Sequence, residues 1–181
     1  MTLRSPHPTR RGLLCGCAAL AAVSLAGCGR KDATDDAGKP REIAAQSSCS
    51  LDGMLLSDYP GPKAQIHYDG QPAPEFFCDT VEMLSMLLKP EQARKVKAVY
   101  VQDMGKADWA APRGAWIDAR SAFYVQGSSK RGAMGPTLIS FATEADATKF
   151  AAEFGGKVLP FAQITPDMVR LDGGALHDQR M

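Results

Sequence analysis

The chain predicts an α+β protein made of two tandem ββαβ units packed together, and three observations carry that prediction. Strand-like alternation at Ala64-Gln65-Ile66-His67-Tyr68 and a second apolar run at Glu75-Phe76-Phe77-Cys78 precede a segment of helical periodicity. The same order, two strands, a helix and a strand, recurs between Ser121 and Pro160. Neither half is long enough to bury much surface alone, so the two should share a core.

Each element has a local reason. In the first unit, Asp69-Gly70 turns the chain between strands, and Asp79 or Thr80 caps a helix through Val81, Met83, Leu84, Leu87 and Leu88. Pro90 ends that helix, and Lys97-Ala98-Val99-Tyr100-Val101-Gln102 forms the next strand. In the second unit the strands are Ser121-Ala122-Phe123-Tyr124-Val125 and Thr137-Leu138-Ile139-Ser140-Phe141. Thr143 caps a helix with Glu144 and Asp146 in its first turn and Ala147, Phe150, Ala151 and Phe154 on one face. Gly155-Gly156 stops it before a last strand at Lys157-Val158-Leu159-Pro160. Aligning Phe77 with Phe141 sets Cys78 opposite Ala142, so only the first unit carries a thiol where strand meets helix.

The ends read differently. Arg4, Arg10 and Arg11 precede an apolar run from Leu13 to Ala26, which is shorter than the roughly 20 residues of a spanning helix. It closes on Leu25-Ala26-Gly27-Cys28, a lipobox, so residues 1–27 are read as a lipoprotein signal peptide and Cys28 as the lipidation site. Thr9-Arg10-Arg11-Gly12-Leu13-Leu14 fits a twin-arginine signal as well as an ordinary export signal. Residues 28–46 are polar and small and are expected to be a flexible tether. The two units are placed at 47–110 and 111–170, with a flexible tail at 171–181. Gly29, in place of the aspartate that often retains lipoproteins at the inner membrane, leans toward the outer one.

Losing the signal leaves 18 basic against 20 acidic residues, without a basic run or stripe. That balance gives no electrostatic case for nucleic acid. Beyond the signal only His67 and His177 remain as histidines, and the chain lacks a Gly-x-Ser-x-Gly elbow, a phosphate loop, a His-Glu-x-x-His and a Cys-x-x-Cys in its mature part. No enzyme constellation emerges.

What stands out is soft sulfur. Cys49-Ser50-Leu51-Asp52-Gly53-Met54 sets a thiol and a thioether on either side of a glycine turn, and Met134 lies between breakers in Gly132-Ala133-Met134-Gly135-Pro136. Filler methionines sit on apolar faces, as Met83 and Met86 do. With Cys78, mixed thiolate and thioether donors argue for Cu(I), since oxygen donors suit hard cations and structural zinc wants four closed ligands. Asp52 and His67 are weaker candidates, and Met104, Met168, His177 and Met181 weaker still. Two other readings compete: a Cys49–Cys78 disulfide, worth about 3 kcal/mol through loop entropy, and Met54 or Met134 simply folded over the core. A thiol-dependent redox enzyme using Cys49 and Cys78, or a metal-free assembly lipoprotein, are the rival functions.

In their order along the chain, several stretches resemble the NosL family of lipoproteins. They are Asp52-Gly53-Met54 with Pro60-Gly61-Pro62-Lys63-Ala64-Gln65, Phe77-Cys78-Asp79, Trp116-Ile117-Asp118-Ala119 leading to Phe123-Tyr124-Val125, Gly132-Ala133-Met134-Gly135-Pro136, and Asp146-Ala147 to Phe150 closing with Gly155-Gly156. The resemblance implies a fold of paired ββαβ units related to organomercurial lyase. It also implies a periplasmic chaperone that binds Cu(I) and passes it, through the membrane-associated NosDFY machinery, to the copper centres of nitrous oxide reductase. Met134 matches the family's proposed methionine ligand, and Cys49 with Met54 matches its cysteine-to-Gly-Met segment. Many members read Cys-x-x-Cys-Gly-Met there; Asp52 stands in place of the second cysteine, which leaves Asp52, His67 and Cys78 as alternatives for the third ligand.

Overall fold

The computed structural model describes residues 38–171. Cys28, the signal segment, His177 and Met181 lie outside the described residues. Among the described residues the fold is mixed α+β with two α-helices and two antiparallel sheets. Strands β1 (Ala64–Tyr68) and β2 (Glu75–Phe77) precede helix α1 (Thr80–Leu87), which leads to β3 (Val96–Gln102) and β4 (Trp116–Asp118). A long hairpin of β5 (Phe123–Gly132) and β6 (Gly135–Phe141) then feeds helix α2 (Glu144–Phe154) and β7 (Lys157–Pro160). The first sheet runs β2-β1-β3-β4 and the second β6-β5-β7.

The helix starts follow their caps. The Asp79 carboxylate accepts from the Val81 N–H at 2.9 Å and the Thr143 hydroxyl oxygen accepts from the Asp146 N–H at 3.1 Å, each satisfying a donor that the first helical turn leaves open. Helix α1 packs on β1 and β2 and reaches across to β6. One apolar cluster therefore draws on both halves of the chain: Ile66, Phe77, Met83, Leu84, Val99 and Val101 meet Tyr124, Leu138, Ile164 and Val169. Burying each such large side chain is worth about 1.5–3 kcal/mol, so the halves stabilise one another. A second cluster of Val125, Ile139, Phe141 and Ala147 lies under α2.

Two expectations differ from the structure, and one strand carried no sequence signal. Strand β5 runs on to Gly132, past the Val125 at which the apolar pattern stops: Gln126 to Lys130 carry no apolar side chain to signal it, alternate between half-buried and exposed, and span a register irregularity before pairing with β6 resumes at Arg131. The segment around Met134 is consequently the tip of a β-hairpin, where Gly132 pairs with Gly135 across a two-residue turn, and not an open loop. Strand β4 has only three residues, too few to show alternation, and extends the first sheet beside β3.

The last part of the expected tether, residues 38–46, lies on the fold. Ile43 is buried, the Arg41 N–H donates to Gln65 Oε1 at 2.9 Å, and the Gln65 amide returns a bond to the Arg41 carbonyl at 3.0 Å. Tyr100 donates to the Gly38 carbonyl at 2.7 Å, and the Trp116 indole to Glu42 Oε1 at 3.0 Å. These contacts use backbone groups, the Glu42 carboxylate and a single buried apolar side chain, so composition does not announce them. Among the described residues no helix is long and apolar enough to cross a membrane.

Candidate metal centre

Three short local structures bring four donors together. The Cys49 N–H donates to the Met54 carbonyl at 2.8 Å and the Gly53 N–H to the Cys49 carbonyl at 2.9 Å, closing the loop around Asp52. Gly53 has φ +80°, a left-handed conformation that glycine adopts without penalty. The Ser50 N–H bonds the Phe76 carbonyl at 2.7 Å, which fastens this loop to β2. Cys78 follows β2 directly and precedes the helix cap. Glu82 stands four residues further on, in the first turn of α1, and its Oε2 lies 3.1 Å from the Cys78 sulfur. The outcome is a cluster of Cys49, Asp52, Cys78 and Glu82 whose donor atoms all lie within 4.8 Å of one another.

Asp52 is exposed while both cysteines and Glu82 are buried, so the cluster sits just beneath the surface with one side toward solvent. Cys49 and Cys78 are free thiols. Their sulfurs lie 3.2 and 3.1 Å from the same Glu82 oxygen, Oε2, and the Cys78 sulfur lies 4.0 Å from Asp52 Oδ2. The electrostatics separate the two thiols. The Cys78 S–H donates to Cys49, which lowers the Cys49 pKa to about 6, helped by the Leu51 N–H aimed at its sulfur from 3.4 Å. That same donated bond, together with burial and the neighbouring Glu82, pushes the Cys78 pKa far upward. Burial raises Glu82 to about 8. Glu82 Oε2 thus stands within hydrogen-bond reach of both sulfurs, and the two thiols are shifted in opposite directions.

Such a site fits a soft ion. Two thiolates about 2.3 Å from one metal are at most about 4.6 Å apart, and the donor atoms here already lie within 4.8 Å of one another. Loading would drive off the thiol protons, because sulfur ligates as the thiolate. Lys63 lies below the centre, buried, with its ammonium donating to the Pro60 and Cys78 carbonyls at 3.0 and 3.1 Å. Desolvation lowers its pKa, and the surrounding anions oppose that shift.

The NosL family model matches residues 40–169. The copper-binding lipoprotein NosL of Stutzerimonas stutzeri is 40% identical over 167 residues, covering 89% of this chain and 86% of its own. The chain belongs to the NosL family. The copper-binding lipoprotein NosL of Achromobacter cycloclastes is 40% identical over 134 residues, covering 72% of this chain and 69% of that protein. The crystal structure of the copper chaperone NosL from Shewanella denitrificans superposes with a TM-score of 0.66 at 40% identity, covering 70% of this chain and 96% of that one. These relatives are named for copper binding and not for an enzymatic reaction.

Against the residues expected in this NosL-family chain, the structure brings together Cys49, Cys78 and Asp52. His67 is elsewhere. Alternation along β1 sends Ala64, Ile66 and Tyr68 into the core that also holds Cys49 and Cys78, and Gln65 and His67 to the opposite face. There the His67 ring bonds Gln65 Oε1 at 2.9 Å, meets Tyr100 edge-on at 5.6 Å, and has its pKa lowered by burial, as a satisfied structural histidine does. Met54 is half-buried and packs against the shared core, with its N–H held by Asp52 Oδ1 at 2.9 Å. Met134 is 48% exposed at the hairpin tip. Met104 packs in the cluster under α2 and Met168 against the main core.

Glu82 was missed. It reads in sequence as an ordinary acidic residue in a helix's first turn; its place in the turn that follows Cys78 and the Asp79 cap was the available signal.

Proposed function

We propose that this chain is a lipid-anchored Cu(I) metallochaperone of the periplasm, tethered through Cys28, which passes copper by way of a NosDFY-type membrane complex to nitrous oxide reductase. The observation that supports it is the pair of buried, unbridged thiols sharing one carboxylate oxygen, in a chain 40% identical to proteins named copper-binding lipoproteins. Cys49 and Cys78 hold the ion, and Met134 or Met54 completes a sulfur-rich, three-coordinate set of the kind that selects Cu(I). Cys78 takes the place of the loop cysteine that Asp52 replaces. Glu82 accepts hydrogen bonds or protons from whichever sulfur is not ligating, which suits stepwise exchange with an incoming partner ligand. The duplicated ββαβ plan, organomercurial-lyase-like, serves as the rigid frame that brings the two thiols together from different elements.

The decisive experiment is titration of the reduced protein with Cu(I) against a competing chelator, followed by copper and sulfur X-ray absorption. One equivalent bound by sulfur with two thiolates is the expected result. A complex with only oxygen or nitrogen donors, or none at all, would overturn the reading.

One observation favours a second reading, a thiol-dependent enzyme of the redox or organomercurial-lyase type. A Cys49 pKa near 6 describes a reactive thiolate. Cys49 is only 3% exposed, however, and the cavity of about 230 Å³ near Leu88, Pro90 and Val169 is lined by neither cysteine. Copper-dependent protection of both thiols from alkylation separates the two functions.

A further inference from the structure

We propose that Asp79 is a positioning residue: it latches the Met134 hairpin to the helix that begins beside Cys78, and the Thr137 hydroxyl is its catch. This rests on the reading that Met134 is a copper ligand, but the latch itself stands on separate geometry.

The hairpin is a poorly anchored arm. Regular pairing of β5 with β6 covers Phe123 to Gln126 and resumes only at Arg131 and Gly132, with the register irregularity between. Pro136, paired with Arg131, has no N–H to give to the ladder. Beyond the irregularity the arm is held mainly from outside its own sheet. Lys130 lies 4.7 Å from the Phe154 ring and 5.5 Å from the Trp109 ring. At the root of the tip, Thr137 Oγ1 donates to Asp79 Oδ1 at 2.6 Å, and Thr80 Oγ1 lies 3.1 Å from Thr137 Oγ1 while also bonding the Leu138 carbonyl.

Asp79 does more than cap. Its other oxygen, Oδ2, is buried without a hydrogen-bond partner and lies only 2.2 Å from where a Cβ on Gly132 would stand. Gly132 in turn rests on Gly61, whose own Cβ would come within 2.9 Å of the Gly132 Cα. The arm is thus seated by side-chain absence on one strand and by a buried carboxylate on the helix. Its seat is the residue next to Cys78, and Met134 lies two positions past Gly132. A carboxylate needed only as an N-cap has no reason to be buried, bonded across to Thr137 and pressed against Gly132. Asp79 therefore sets how close the thioether stands to the thiols, and releasing the catch frees the arm to withdraw its ligand.

Two readouts on the full chain test this. In the apo protein, Thr137→Val should speed amide hydrogen exchange from Arg131 to Thr137 about tenfold, the equilibrium effect of roughly one buried hydrogen bond, while amides of Tyr124 and Ile139 keep their rates. Thr137→Ser, which retains the hydroxyl, should restore slow exchange. In Cu(I) competition with bicinchoninate, Thr137→Val should weaken binding several-fold, and Met134→Leu should then cost much less than it does in the wild-type background. Unchanged exchange at the tip in Thr137→Val, or costs of the two substitutions that simply add, overturns the latch. A Met134→Leu protein that binds Cu(I) as tightly as wild type removes Met134 from the centre instead, and the exchange rates then decide the latch by themselves.

Discussion

Cys49 and Cys78 address the same oxygen, Glu82 Oε2, from 3.2 and 3.1 Å. Twenty-nine positions apart in sequence, they meet because one ends a tight loop fastened to β2 and the other leaves that strand. The shared carboxyl lies within hydrogen-bond reach of both sulfurs, so it can take up a proton that either thiol gives up to a soft cation. From this relationship and from the hairpin above it follow four expectations.

Cys78→Ser preserves size and a hydroxyl that can still bond Glu82. It should leave the fold intact by circular dichroism, yet lower Cu(I) affinity by more than about a hundredfold, beyond the 10–100-fold typical of losing a residue that only supports a ligand. An affinity within a few-fold of wild type would show that Cys49 binds without it.

Met134→Leu changes a side chain already 48% exposed. Thermal stability should move by less than about 0.5 kcal/mol, as for most surface substitutions, while Cu(I) competition and X-ray absorption lose one sulfur neighbour. The separation of the two effects is the point of the measurement.

The pH dependence of stability has a worked sign. Burial raises Glu82 from 4.5 to about 8, so its contribution is greatest below its unfolded value and is lost as pH rises through about 8. Cys49 is lowered from 9.0 to about 6, so its contribution is present above its unfolded value and is lost as pH falls through about 6. Between about pH 6 and 8 these two slopes oppose and cancel, with Lys63, Asp52 and Asp79 as the other charges nearby. Glu82→Gln removes the falling member of the pair. Urea denaturation of that variant should show stability rising with pH from about 6 to 9, where the wild type is nearly flat.

Gly132→Ala places a methyl group 2.2 Å from Asp79 Oδ2 and 3.1 Å from the Thr137 Cβ. Neither neighbour is the far end of a flexible chain, so the cost should reach about 1–3 kcal/mol, as for overpacked cores, read as a lower denaturation midpoint. Gly53→Ala, by contrast, meets no atom within 4 Å and suffers only its positive φ.

Much of this protein was legible in its residues alone. The capping Asp79 and Thr143, the Pro90 and Gly155 stops, and the alternation along Ala64 to Tyr68 placed both helices and most strands, because each is decided by neighbours a few positions away. Family membership was equally visible, carried by the order of Asp52-Gly53-Met54, Phe77-Cys78-Asp79 and Gly132-Ala133-Met134. What tertiary structure alone decided is which donors converge. His67 was turned away by the pleat of β1, whose opposite face is committed to the core. Glu82 was drawn in because α1 presses that side against the sheet, and the arm carrying Met134 was seated by a carboxylate and two glycines far apart in the chain. Local patterns constrain backbone conformation; the meeting of distant side chains depends on how whole elements pack, and no window of sequence contains that information.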